Sequence, residues 1–531
     1  MKAARTAAVT RQPRAGHLAG ATLLLSASFV LSRVLGLLRN VVIADVFGAT
    51  RQVEAYFAAF RIPDTMFMLA SGGALASAFV PVFAGLVQRK HERIAWEVAS
   101  SVLNTVFLAL AGLAVAAFVL APLLMAVLVP AYTPAERALT VDLTRIMLLQ
   151  PIFLGVSALI SAILQTYQRF ILTAVAPLLY NLAVIVGALL GHSHGVAALA
   201  WAVVIGSLAQ LLVQLPGLWP QARLLYHRSI DWEFAESREV LRLFLPRVVG
   251  LAAFQAMLFI TLYLAQGLPK GNVAAINYSW LLISFPVGAL GTAAATAIFP
   301  TLSRLAETED YDALAGMVGR GLRFVLFLAL PAAMGLIVLR RPIINLLYNH
   351  GAWTHHATEQ TAFALLFYAM ALTPVAAIEI LPRVFYALRD TVTPVRIAVV
   401  AVTLDAVLSI LFVHLLPPAS GQGGLALASA LANGVQVVWL AVALNRDLRG
   451  RMATREILST LRDSMLGSVG MGVVLYLTLD PLTAIFPQHG FGALFTVCIE
   501  VAIGAATFVY VTYLLGATEL YQFRSFIARR K

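Results

Sequence analysis

Cysteine is all but missing from this chain: Cys498 is the only one in 531 residues. A single thiol forms no intramolecular disulfide and no cysteine-based metal site, so neither redox chemistry nor a thiolate-held metal is expected. Charged residues are scarce too, at 12%, well below the usage of a soluble globular domain. Long hydrophilic stretches are missing as well; the longest, 219–241, is too short to fold alone. Catalytic motifs are equally absent. The sequence holds no phosphate-binding glycine loop ending in lysine and no H-E-x-x-H, and His355-His356 has no third ligand at metal-binding spacing. ATP hydrolysis, a bound metal and a cofactor are therefore not expected, and the chain does not read as an enzyme.

What is present is apolar sequence. Hydrophobic residues make up 60% of the chain, and the mean hydropathy is +0.87. Apolar runs of about 18 residues or more recur along the whole length, which defines an all-α polytopic membrane protein. Fourteen spans are expected: 21–47, 63–87, 98–129, 139–164, 170–190, 195–218, 242–266, 274–300, 322–347, 360–386, 393–415, 422–445, 463–482 and 490–516.

Charge orients them. The net charge of +12 concentrates in alternate connections: the N-terminal tail (1–20), QRKHER (88–93), 223–242, 304–323, 445–463 and the closing RRK. The opposite connections carry few lysines or arginines, and GHSHG, GAWTHHATEQ and PPASGQGG carry none. This asymmetry places both termini in the cytoplasm, as an even number of spans requires. The positive charge is thus a topology signal, with some attraction to anionic lipid heads, and not a nucleic-acid footprint. The basic start of the chain reads as an uncleaved tail, because the apolar run that follows is too long for a signal peptide.

The chain also repeats itself. GALASAFVPVFAGL (73–86) matches TAAATAIFPTLSRL (292–305), which aligns Pro81 with Pro300. QTYQRFILTAVAP (165–177) matches FYALRDTVTPVRI (385–397), which aligns Arg169 with Arg389 at nearly the same offset. Six spans separate the copies, so two six-helix bundles of like orientation are expected, with spans thirteen and fourteen outside the repeat. The expected division is a cytoplasmic tail (1–20), an N-terminal bundle (21–218), a linker (219–241), a C-terminal bundle (242–445), a loop with the last two helices (446–516) and a second basic tail (517–531). Two bundles that rock about a central cleft expose it alternately to each side of the membrane.

Ionisable residues inside the spans point to what that cleft holds. A charged side chain near the bilayer centre costs about 2.5–3.5 kcal/mol on insertion scales, so it faces a cavity or a partner. Arg33 falls near the midplane of the first span and Arg39 in its outer half, which suggests a cavity for something anionic. Arg247 opens the seventh span after Pro246 and is a further candidate for the cavity wall. Glu54 and Arg61 sit at the outer mouth as candidate gate residues, and Glu379 and Arg383, four apart, can pair on one helix face. Asp45, Asp405 and Glu500 are candidate cation or proton sites.

Taken in order, SRVLGLLRNVVIADVFGATRQVEAYFAAFRIPD, GGALASAFVPVF, QTYQRF, APLLYN, ISFPVGALGTAAATAIFPTLS, LLYNHGAWT and EILPRVFYALRDTVTPV resemble the MurJ (MviN) family of lipid II flippases. The resemblance implies a fourteen-helix member of the multidrug/oligosaccharidyl-lipid/polysaccharide exporter superfamily in the bacterial cytoplasmic membrane. Its implied substrate is lipid II, an undecaprenyl-diphosphate-linked peptidoglycan precursor moved from the inner to the outer leaflet for wall synthesis. The family's two first-helix arginines match Arg33 and Arg39, and its outer acid matches Glu54, so the resemblance implies all three as substrate-binding residues. Guanidinium forks suit a diphosphate. The sequence departs from the family at Asn40, where an aspartate is common, and at Phe67 and Leu281, where some members carry arginine. Arg247 is a candidate to restore part of that charge. Uphill movement would draw on the membrane potential or a monovalent cation, as no ATP site is present. Two alternatives are a flippase for another polyprenyl-diphosphate oligosaccharide and a non-transporting lipid-binding scaffold.

Overall fold

The computed structural model describes residues 15–71, 74–228, 230, 235–486 and 490–520, and every regular element among them is helical. In chain order the first ten helices are α1 (Ala15–Phe47), α2 (Arg51–Ser71), α3 (Ala74–Gln88), α4 (Glu92–Leu128), α5 (Pro134–Met147), α6 (Gln150–Thr166), α7 (Phe170–His194), α8 (Val196–Leu212), α9 (Leu215–Leu225) and α10 (Ala235–Ala265). The second ten are α11 (Asn272–Pro286), α12 (Ala293–Glu307), α13 (Tyr311–Val338), α14 (Arg340–Tyr348), α15 (His355–Ile378), α16 (Leu381–Ala387), α17 (Val392–Leu415), α18 (Gly421–Asp447), α19 (Thr454–Ile485) and α20 (Gly490–Leu514).

Among the described residues, eleven helical stretches are long and apolar enough to cross a membrane, and they fall on eleven of the fourteen expected spans. The other three expected spans fall on α1, on α2 with α3, and on α10, where residues 72–73 and several side chains lie outside the description. Several spans are less regular than their apolar runs imply. The 139–164 run is broken between α5 and α6, and the 274–300 run holds a π-helical turn at Val287–Thr292 between α11 and α12. The 322–347 run is displaced: α13 starts at Tyr311 and ends at Val338, and Arg340 opens a separate short helix. The reason is local, since Pro342 within the Arg340–Arg341–Pro342 sequence is tolerated only in a first helical turn.

The chain divides into two compact units, one of residues 1–43, 59–121 and 141–249, the other of 44–58, 122–140 and 250–531. In the first unit α3, α4 and α6 close a core around Phe79, Phe83 and Trp96. Phe83 stacks on Phe79 at 5.1 Å between centroids and meets Trp96 edge-on at 6.5 Å, while the Trp96 indole donates to the Tyr167 hydroxyl at 3.0 Å. A buried tryptophan requires such a partner. In the second unit α12, α13, α15, α16 and α18 share a core that includes Leu314, Val318, Leu372, Ile380 and Phe385. The last two helices dock beside it: Phe327 of α13 lies 5.0 Å from Phe508 of α20, and Gly472 of α19 leaves room for Met334. The remaining apolar surface points outward; on α4 the residues Val115, Val119 and Leu123 form an exposed stripe at helical spacing.

Five helix ends share one turn. Lys90, Gln168, Glu309, Arg389 and Arg449 each adopt a left-handed backbone, with φ of 61°, 59°, 54°, 63° and 54°. In each, the following amide reaches back to a carbonyl in the last helical turn: His91 to Leu86, Arg169 to Leu164, Asp310 to Leu305, Asp390 to Phe385 and Gly450 to Asn445. This Schellman closure normally uses glycine. Lys90 and Glu309 stand at the same offset in sequence as Pro81 and Pro300. Glycine at these positions relieves the Cβ strain at some entropic cost. Lys90→Gly and Glu309→Gly are each expected to stabilise the folded protein by about 0.5–1 kcal/mol. A rise in melting temperature in detergent, additive in the double variant, checks this.

Candidate functional site

In the first unit, α1 brings Ser32, Gly36 and Arg39 onto the face that meets α7. The Arg39 guanidinium donates to Oδ1 of Asn181 at 3.3 Å and lies 6.0 Å from the Tyr180 ring centroid. Asn181 is itself fixed, its amide nitrogen donating to the Pro177 carbonyl at 3.1 Å and to Ser32 at 3.5 Å. Gly36 faces the same side chain, where a Cβ would make only an ordinary contact with Oδ1 at 3.9 Å. On α2, Asp64 lies within electrostatic reach of both Arg61 and Arg39. Asp64 is the acid in the field of both guanidiniums. Arg33 is exposed on the same helix. Six residues separate it from Arg39, which at about 100° per residue puts the two about 120° apart around α1. Asn40 is buried and donates back to the Gly36 carbonyl at 2.7 Å, so it adds no charge here.

Glu54 has a different setting, in the second unit. It is completely buried. One carboxylate oxygen accepts from the backbone amides of Gly271 and Val273 at 2.9 Å and Ala274 at 3.4 Å, at the start of α11. The other accepts from Arg51 at 2.8 Å. A carboxylate over free amides at a helix start is a favourable charge–dipole arrangement. Arg51 also reaches Glu136 at 3.4 Å and stands 4.8 Å over the Tyr132 ring. The adjoining turn is held just as closely. Gly48, at φ +58°, packs where a Cβ would lie 2.4 Å from the Ala352 carbonyl, and the Ala352 amide donates to the Asp45 carbonyl at 2.7 Å. Gly351, at φ +52°, faces that same carbonyl, and Trp353 closes against Tyr278 and Tyr348 at 5.2 Å each. The LLYNHGAWT segment therefore builds the loop that seats residues 45–48.

Glu379 and Arg383 form the expected pair at 3.4 Å, and Arg383 also donates to the Thr296 hydroxyl at 2.9 Å. They flank the break between α15 and α16, beside the π-helical turn, where Gly291 lies so close that a Cβ would be 2.9 Å from the Ala376 Cα. Both side chains keep about a third of their surface exposed, so their mutual attraction is screened. A double-mutant cycle between Glu379→Ala and Arg383→Ala is expected to return a coupling below about 1 kcal/mol in unfolding experiments.

Phe67 and Leu281 are half-buried apolar side chains. Arg247 falls on α10, but its side chain lies outside the described residues. Asp405 is buried on α17 with an oxygen that finds no hydrogen-bond partner, and Glu500 is buried on α20 with one oxygen accepting from Thr478 at 2.9 Å. No group of three or more metal-ligating side chains exists among the described residues. Sequence reasoning missed Asp64, Tyr180 and Asn181 as neighbours of Arg39, and Arg51 as the partner of Glu54. The i, i+3 spacing of Arg51–Glu54 and Arg61–Asp64 was the available signal.

Eleven membrane-length helices among the described residues, with arginines on the first helix, fit the class of membrane transporters. Solved structures share the fold. The chain superposes on one titled "Lipid II flippase MurJ, inward closed conformation" with a TM-score of 0.76 at 23% identity, covering 94% of this chain and all of the other. It also superposes on an inward-facing multidrug resistance MATE family transporter of the MOP superfamily, with a TM-score of 0.66 at 15% identity, covering 81% of this chain and 99% of the other. At those identities the likeness is one of fold. Among sequences, the Lipid II flippase MurJ of Burkholderia cenocepacia is 33% identical over 77% of this chain and 80% of its own length. The probable lipid II flippase MurJ of Vibrio cholerae is 29% identical over 93% and 95%. Residues 43–489 match the family described as Lipid II flippase MurJ. The chain belongs to the MurJ family.

Proposed function

We propose that this protein moves lipid II from the inner to the outer leaflet of the bacterial cytoplasmic membrane. The observation that carries the reading is the family match over residues 43–489, and relatives named as lipid II flippases accompany it. The mechanism is alternating access between two six-helix bundles, 21–218 and 242–445, with helices thirteen and fourteen of the fourteen outside them. The matched left-handed turns at Lys90 and Glu309, at the offset of Pro81 and Pro300, support that repeat. Both termini are cytoplasmic in this reading, which the basic connections support.

Arg33 and Arg39 hold the diphosphate, Arg247 adds charge from the seventh span, and Arg61 with Asp64 sets the field around them. A guanidinium resting on a neutral amide, as Arg39 rests on Asn181, stays available to an anion; one committed to a carboxylate pair does not. Glu54 acts by fixing the turn before α2 against the start of α11. Glu379 and Arg383 form an ion pair at the helix break. Transport is coupled to the membrane potential or to a monovalent cation, and a charge crossing 100 mV gains about 2.3 kcal/mol.

Reconstitution tests the reading. Liposomes holding the purified protein and fluorescent lipid II on one leaflet are expected to expose the label to an impermeant quencher faster than protein-free liposomes. Equal rates under an imposed potential and in the presence of sodium or potassium would contradict it.

A further inference from the structure

The turn between α6 and α7 and the start of α9 border an open cleft of about 440 Å³ in the first unit, lined by Gln168, Arg169, Phe170, Ile171, Leu172, Pro216 and Gly217. Its position is informative. Phe170 opens one membrane-crossing stretch, Phe170–His194, and Gly217 lies just before the end of another, Val196–Trp219. Where two spans end together, the bilayer changes from acyl chain to headgroup. Trp219 is 65% exposed and Ile171 63%, and an outward tryptophan at a span end is the usual mark of that depth.

The chemistry of the walls matches the position. Arg169 spends one donor on the Gly217 carbonyl and is the one charged residue among those lining the cleft. A guanidinium has five N–H donors, so that bond leaves the others for an anion. Gln168 adds an amide, no lining residue is acidic, and the remaining walls are apolar. The site is also held in place. The Arg169 amide closes on the Leu164 carbonyl, and Gly217 packs so tightly that a Cβ would stand 2.4 Å from a Leu172 methyl.

We propose that this cleft binds one anionic phospholipid, with its phosphate against Arg169 and the head of an acyl chain along Ile171, Leu172 and Pro216. The apolar walls fit a lipid and not a free anion, and a cationic wall with no acidic lining residue fits an anionic headgroup in preference to a zwitterionic one. The proposal rests on the membrane-spanning reading of the helices but not on which lipid-linked precursor the protein moves.

Native mass spectrometry of the delipidated full chain in detergent, titrated with phosphatidylglycerol and separately with phosphatidylethanolamine of the same chains, tests it. Preferential retention of one phosphatidylglycerol is expected. Arg169→Gln should weaken it about tenfold, the worth of one charge-assisted hydrogen bond, with Arg169→Lys in between. Arg93→Gln, which removes an 83% exposed cation elsewhere, should leave it unchanged. If Arg169→Gln melts early, Ile171→Glu places a carboxylate beside the cleft from an outward position and should expel the lipid equally. Unaltered binding in both variants, or equal uptake of the two lipids, would overturn the proposal. Displacement of the lipid by inorganic phosphate would overturn it too, and assign the cleft to a soluble anion. Lipid II translocation, measured separately on the same samples, keeps failure of this site distinct from failure of the flippase reading.

Discussion

Arg39→Ala is expected to reduce lipid II translocation in liposomes by about tenfold to a hundredfold, with the protein still folded and inserted. The size follows from the loss of one charged donor to a diphosphate, worth about 1.5–3 kcal/mol, at about 1.36 kcal/mol per factor of ten in rate. Arg39 is half-buried and rests on the Asn181 amide, a neutral partner, so its removal strands no carboxylate that depends on it alone. Asp64 keeps Arg61 as a neighbour. Arg39→Lys keeps the charge and loses the planar fork, and should fall between alanine and wild type. Asn181→Ala frees the guanidinium to move and should cost less than Arg39→Ala. Translocation by Arg39→Ala at the wild-type rate, at equal protein density, would remove this arginine from the substrate path.

Glu54→Ala should cost more stability than any of the other substitutions. Its carboxylate is fully buried and accepts from Arg51 and from three backbone amides at the start of α11. Removing one partner of a buried charged network costs about 3–5 kcal/mol because the other groups stay buried and unpaired. Folded proteins are stable by about 5–15 kcal/mol in all, so the variant should melt far below wild type in detergent and accumulate poorly in membranes. Glu54→Gln keeps an acceptor for the amides and loses the charge opposite Arg51, for an intermediate loss. Gly271→Ala should destabilise from the other side of the contact: φ is +94° and a Cβ would lie 2.3 Å from the Gln360 side-chain oxygen. Wild-type melting of Glu54→Ala would mean that the amides and Arg51 find other partners.

The helical class and most span positions are legible in the sequence because lipid-facing helices are apolar over their whole length, a signal that needs no knowledge of neighbours. Pairs four or fewer residues apart are legible on the same basis: the spacing predicts Glu379 with Arg383, and the structure holds that pair. The interruptions are not. The break after Met147 and the π-helical turn at Val287–Thr292 alter neither hydropathy nor length, so a hydropathy reading passes over them, whereas the break after Val338 is marked locally by Arg340, Arg341 and Pro342. The partners of Arg39 and Glu54 are hidden for another reason. Asn181 lies 142 residues from Arg39, and Gly271 lies 217 from Glu54; only packing selects them. Glu54 illustrates the limit. Its position in the sequence suggests an outer gate, whereas its surroundings hold an acid wholly engaged in joining two segments of one unit. Arg33 and Arg39 are recognisable by the cost of placing charge in an apolar helix.

Flipping of lipid II by this protein is tested most directly in a bacterium whose own lipid II flippase can be depleted. Expression of this chain is expected to restore growth and the appearance of lipid II in the outer leaflet. Failure to restore either, with the protein present in the membrane at the abundance of the depleted flippase, would contradict the account and point to a different polyprenyl-diphosphate cargo.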